Sequence, residues 1–193
     1  MPETMDRPGV TLAMIDGWLT ALPDPLADAA LAVAASGAPF LVGRRGYARD
    51  SMGTVGVNDR GIFDDAICLV VGSVVVNFNA NTDPSVSRSG IAELVPGVWR
   101  YALGIHGLSK PVEKRYPALV LAAPVTVRRD GGGESTGYFG INVHRGGVHE
   151  TTSEGCQTIH RPQWAEFFAR VKTAMQEANA TTVPYILTAR ADA

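Results

Sequence analysis

Residues 66–78 read AICLVVGSVVVNF. They are two β-branched, apolar segments, Ala66–Val71 and Val74–Phe78, split by Gly72 and Ser73. Each suits a buried strand, and the apolar run is too short to cross a bilayer as a helix. Similar segments recur on both sides: Phe40–Val42, Trp99–Ile105, Leu119–Leu121, Val125–Arg128, Phe139–His144 and a tail at Val183–Leu187. The breaks are Gly-, Asn- and Asp-rich, as at Val57–Arg60 and Asn79–Pro84, and Asp130-Gly131-Gly132-Gly133 reads as a hairpin turn. Few helical patterns intervene, which argues for antiparallel sheets over a doubly wound α/β fold.

Helical periodicity appears only at the two ends. Met14, Ile15, Trp18, Leu19 and Leu22 share one face of a helix over residues 11–22, stopped by Pro23. Asp24 and Pro25 then read as N-cap and first residue of an Ala-rich helix running to Gly37. From Pro162, the stripe Trp164, Phe167, Phe168, Val171 and Met175 marks a late amphipathic helix. The expected fold is α+β. A helical segment, residues 1–38, packs on a β-rich antiparallel body of sandwich or barrel type, residues 39–193, which carries one late helix.

The chain has 193 residues, 46% hydrophobic and 19% charged, with 21 Gly and 12 Pro. That is globular and turn-rich. A net charge of −2 leaves no basic excess for a phosphate backbone, so no nucleic acid partner is expected. The start, MPETMDRPGV, carries acids and no apolar core, so it does not read as a secretory signal. Synthesis in the cytoplasm and no membrane span are expected. The sequence says nothing of oligomeric state.

Chemistry concentrates in residues 138–160, YFGINVHRGGVHETTSEGCQTIH, with three of the four histidines and one of the two cysteines. Strand alternation sends Phe139, Ile141 and Val143 to the core, and Tyr138, Asn142 and His144 to the other face. His144 thus ends a strand beside a flexible Arg145-Gly146-Gly147 turn. In Ser153-Glu154-Gly155-Cys156 the glycine permits a tight turn, on which backbone N–H groups can converge as an oxyanion hole. An imidazole beside a thiol can activate it. On spacing alone, a Cys156–His144 dyad and a structural cysteine both remain open. Cys68, inside AICLVV, reads as core. His106, in Gly104-Ile105-His106-Gly107, reads as a turn residue, with a place in the same cleft as the alternative. His149 and His160 read as loop residues. Asp64 and Asp65 precede a strand and suit a strand-end network.

G-I-N-V-H-R-G-G followed by S-E-G-C resembles the catalytic segment of the L,D-transpeptidase catalytic domain family, whose β-rich domains remodel peptidoglycan. The resemblance implies Cys156 as nucleophile and His144 as base, with Ser153 and Gly155 in the flanking motif positions. It implies peptidoglycan stem peptides as partners, a thioester acyl-enzyme, transpeptidase or carboxypeptidase outcomes, and no cofactor or metal. Glu154 stands where the family commonly has His, Thr158 where it has Arg, and Arg145 where Gly often follows the His. Arg145 or Arg161 would then supply the carboxylate-binding charge, beside Asn142. Action at the cell wall would require delivery by another route, a pattern that fits a phage lysis protein or an antibacterial toxin. Two rivals remain: a zinc site from His144, His149, Cys156 and His160, and a non-catalytic peptidoglycan-binding domain.

Overall fold

The computed structural model describes residues 5–190. The apolar segments around Gly72 form a hairpin, β2 (Asp65–Val71) and β3 (Val74–Asn81), with Val71 opposite Val74. Gly72 has φ +56°, a left-handed turn geometry that glycine adopts without steric cost. The hairpin belongs to a closed eight-stranded barrel completed by β1 (Phe40–Arg45), β5 (Gly97–His106), β6 (Tyr116–Leu121), β9 (Val143–Arg145), β10 (Gln157–Ile159) and β11 (Val183–Ala189). The order around the barrel is β1-β11-β5-β6-β9-β10-β3-β2. A separate three-stranded sheet joins β4 (Ala92–Leu94), β7 (Val125–Arg129) and β8 (Glu134–Gly137). The Gly131–Gly133 turn closes its β7–β8 hairpin, with Arg128 opposite Glu134.

The fold is α+β and β-rich, with a helix pair at the start and one helix late in the chain. The barrel is mostly antiparallel, but two of its pairings are parallel: β1 with β11 and β9 with β10. The first closes the barrel with strands from opposite ends of the chain. The second is made by the loop 146–156, which carries the chain back so that β10 runs alongside β9.

Strand alternation sorts the core into two layers. Leu41, Ile67, Leu69, Phe78, Tyr101, Leu119, Val143 and Tyr185 point inward with residues of the late helix and the small sheet. Gly43 leaves the space that Tyr185 fills, since a Cβ there would lie 2.2 Å from the phenol oxygen. Phe40, Val42, Ala66, Cys68, Val70 and Ile186 point outward, where α1 (Leu12–Thr20) and α2 (Leu26–Ala35) cover them through Ile15, Leu19 and Ala30. Thr11 caps α1 by accepting the Met14 N–H. Asp24 does not cap α2. Pro25 occupies the cap without a side-chain bond, and the Pro23 carbonyl accepts the Leu26 and Ala27 N–H groups instead. The late helix, α3 (Trp164–Glu177), follows a 3₁₀ turn and buries Trp164, Phe167, Val171 and Met175. Among the described residues no helix is long and apolar enough to cross a membrane.

The expected strand Phe139–His144 is shorter in the structure. Gly140, at φ +68°, interrupts the extended backbone, so regular pairing begins at Val143. The facing nevertheless follows the alternation: Ile141 and Val143 are buried, while Tyr138, Asn142 and His144 line a cavity.

Candidate active site

The parallel pairing of β9 and β10 sets Val143 beside Gln157 and His144 beside Thr158. One step earlier, the Gln157 N–H donates to the Asn142 carbonyl at 2.8 Å. Gln157 points into the barrel, where its Oε1 accepts from the Tyr185 hydroxyl at 3.0 Å. Alternation therefore turns Cys156 outward, to the face that Asn142 and His144 occupy. The Asn142 N–H points at Cys156 Sγ at 3.4 Å, and Sγ lies 3.5 Å from the Gly140 carbonyl oxygen. Together these groups line a cavity of about 1050 Å³.

Gly155 and Ser153 shape the turn that delivers the thiol. Gly155 has φ +141°, and a Cβ there would lie 2.3 Å from the Ala92 carbonyl oxygen, so no other residue fits. Ser153 Oγ accepts the Gly155 N–H at 2.9 Å and donates to the Cys156 carbonyl at 2.6 Å. The Gly155 N–H is thus occupied and is not free to stabilise an oxyanion. A second loop clasps the first: the Ser85 N–H donates to the Ser153 carbonyl at 2.7 Å, and the Ser153 N–H returns a bond to Ser85 Oγ at 2.6 Å. Arg88 pairs with Glu154 at the rim.

His144 is buried and orientated by its own strand. Its Nδ1 is 2.7 Å from the Arg145 carbonyl oxygen and 3.1 Å from the Tyr116 hydroxyl. A carbonyl only accepts, so the proton sits on Nδ1 and Nε2 keeps its lone pair. His106, the last residue of β5, is not an isolated turn residue: it lines the same cavity. Its ring lies over that of His144 with centroids 4.1 Å apart, and its Nδ1 is 3.2 Å from the Asn142 side-chain amide. One nitrogen of each imidazole and Cys156 Sγ lie within 4.8 Å of one another.

Burial dominates the protonation states. It lowers His144 to about 4, helped by His106 and resisted by the bond to the Arg145 carbonyl. It also lowers His106, with Lys110 acting in the same direction. The Cys156 thiol is raised by burial, against smaller opposing effects of the Asn142 N–H and Lys110. The resting group is therefore a neutral thiol beside two neutral imidazoles, not a preformed thiolate–imidazolium pair. Nucleophilic chemistry here requires a proton to leave sulfur as the new bond forms, and His144, with Nδ1 held by the Arg145 carbonyl, keeps its Nε2 lone pair as an acceptor.

The other assigned residues fall elsewhere. The Arg145 guanidinium lies over the Tyr116 ring at 4.1 Å and is not part of the cavity lining. Arg161 is exposed in the 3₁₀ turn before α3, also outside the lining. The lysine or arginine that does line the cavity is Lys110, exposed, with Glu150 and Glu154 also in the lining. The set His144, His149, Cys156 and His160 does not converge. His149 is exposed in the loop, and the His160 ring packs against Phe63 with centroids 5.1 Å apart. Lys110 and Tyr116 carry no local sequence signal. Their relevance comes from the β5–β6 hairpin, in which Tyr116 pairs with His106. The acids of residues 59–65 form a separate polar network, where Asp65 accepts the Gly46 and Thr82 N–H groups at 2.6 Å each.

No family model, curated protein or solved structure matches this chain.

Proposed function

We propose that the protein is a cysteine acyl-transfer enzyme of the L,D-transpeptidase type that acts on peptidoglycan stem peptides. The observation that carries this reading is the juxtaposition of His144 and Cys156 on one face of adjacent parallel strands, open to a cavity. The Arg145 carbonyl holds the imidazole in the tautomer a base needs. His144 Nε2 takes the thiol proton as Sγ attacks a stem-peptide carbonyl. The Cys156 N–H, which has no acceptor among the described residues, is the backbone donor at hand for the developing oxyanion. Collapse expels the amine, protonated by the imidazolium, and leaves a thioester on Cys156. An acceptor amine or water then releases it, giving exchange or hydrolysis.

Lys110 replaces Arg145 as the group proposed to meet a substrate carboxylate, and Glu150 suits a substrate ammonium group. A dipolar peptide fits that charge pattern. The test is incubation with purified peptidoglycan fragments, followed by mass spectrometry of both fragments and protein. Cleaved or exchanged stem peptides with an acyl adduct on Cys156 are expected. Intact fragments and unmodified protein would refute the proposal and leave a binding domain.

A further inference from the structure

His106, His144 and Cys156 project from the end of β5, from β9 and from the residue before β10. Two imidazoles and a thiol form a donor set of the softness that zinc prefers. In tetrahedral zinc with these ligands, donor atoms stand about 3.4–3.6 Å apart. Here they lie within 4.8 Å, and Sγ is held only by contacts of 3.4 and 3.5 Å. A rotation about the single χ1 torsion of Cys156 is enough to change its distance to both rings. Each ring is also held by a second partner, as ligating histidines commonly are. The Arg145 carbonyl holds Nδ1 of His144; the Asn142 side-chain nitrogen faces Nδ1 of His106, and reversing that amide presents its oxygen to an Nδ1 proton there. Both Nε2 atoms then remain as donors. The fourth position opens on the cavity, where water or a substrate group completes the shell.

We infer that His106, His144 and Cys156 form a reversible zinc site that silences the thiol when filled. Binding replaces the S–H bond by a Zn–S bond and releases that proton to solvent, so the charge balances without any redox partner. The metal takes both the sulfur electron pair and the His144 lone pair, which are the two groups the acyl transfer uses. The consequence for catalysis rests on the proposed function, but the binding itself does not.

The test uses the metal-free full chain with zinc chloride or cobalt chloride as probe. One equivalent of zinc should bind, cobalt should give a thiolate-to-metal charge-transfer band, and zinc should slow alkylation of Cys156 until a chelator is added. His106→Ala should weaken zinc binding at least about tenfold, more than the smallest cost of losing an outer partner. His106→Gln keeps bulk at the site and should behave alike if the alanine variant folds poorly. His149→Ala should bind as the wild type does. Absence of the cobalt band, or zinc protection unchanged in both His106 variants, would overturn the site. These readouts need no peptidoglycan, so zinc binding by a protein that leaves stem peptides intact refutes only the enzymatic reading.

Discussion

Two outer faces of the same barrel have opposite fates. On β1, β2 and β11 the outward side chains are Phe40, Val42, Ala66, Cys68, Val70 and Ile186, and α1 and α2 seal them from water. Around β9 and β10 the outward side chains include Asn142, His144 and Cys156, and a cavity remains open above them. Each face carries one cysteine, and burial raises both thiols, Cys68 to about 12. Burial by itself makes a thiol inert. What distinguishes Cys156 is a pair of imidazoles nearby and an open cavity beside it.

The sharpest way to break that contrast is to exchange the roles of the two thiols. Under the proposed function, Cys156→Ala abolishes turnover of peptidoglycan fragments, and His144→Ala lowers it by about 10²–10⁴-fold. Both should keep native circular dichroism. Cys68→Ser should do the reverse. A hydroxyl without a partner in an apolar layer costs about 1–3 kcal/mol, so denaturant midpoints fall while activity per folded molecule is retained. Loss of activity without loss of stability in Cys68→Ser would invert the assignment of the two faces.

Brief alkylation of the native protein sharpens the same comparison without a substrate. Cys156 should be modified, and Cys68 only after unfolding, because α1 and α2 must leave before a reagent can reach it. Peptide mapping reads the ratio. Equal labelling would mean that the helix pair opens readily and that the covered face is not sealed.

Much of this contrast is legible in the chain because it is local. AICLVV around Cys68 and TTSEGCQT around Cys156 state the two environments directly, and Ile141/Val143 against Asn142/His144 states which way β9 faces. Gly140 ends the strand early without upsetting that alternation. What is not legible depends on contacts between distant segments. β10 is three residues with two polar members, so its pattern is too short to stand out. His106 meets His144 only because β5, β6 and β9 are neighbours in the barrel. Arg145 sits next to His144 in sequence, yet its guanidinium stacks on Tyr116, and Lys110 enters the cavity from the β5–β6 loop. The four-residue zinc set fails for the same reason: loop 146–156 carries His149 out to solvent.

Those two cations give a subtler test within the open face. If Lys110 meets a substrate carboxylate, Lys110→Ala loses an exposed charge pair worth about 0.2–1 kcal/mol, and KM should rise by up to roughly fivefold with kcat little changed. Arg145→Ala removes a group that touches Tyr116, whose hydroxyl lies 3.1 Å from His144 Nδ1. Its effect should fall on kcat more than on KM. A larger KM effect for Arg145→Ala than for Lys110→Ala would return the carboxylate contact to Arg145.

The last expected effect concerns stability alone and belongs to the acid network that precedes β2. Asp64 immediately precedes β2 and is fully buried, and burial raises its carboxyl to about 7, with Asp83 and Asp59 adding repulsion against its backbone hydrogen bonds. The ordinary value for an aspartate is 3.8. The folded state therefore holds this proton more tightly than the unfolded state does between those two values. The resulting stabilisation is complete below the unfolded value and is lost as pH rises through the folded one. Asp64→Asn keeps an acceptor for the Asp59 N–H, bonded at 3.2 Å to Asp64 Oδ2, but cannot ionise. Relative to the wild type, its melting temperature should therefore climb between pH 4 and pH 8, by about 4 °C for each kcal/mol recovered. The reactivity of Cys156 towards alkylation should not change with it. A melting-temperature difference independent of pH would mean that Asp64 is ionised in the folded protein throughout. A change in Cys156 reactivity would mean that the acid network and the open face are not separable.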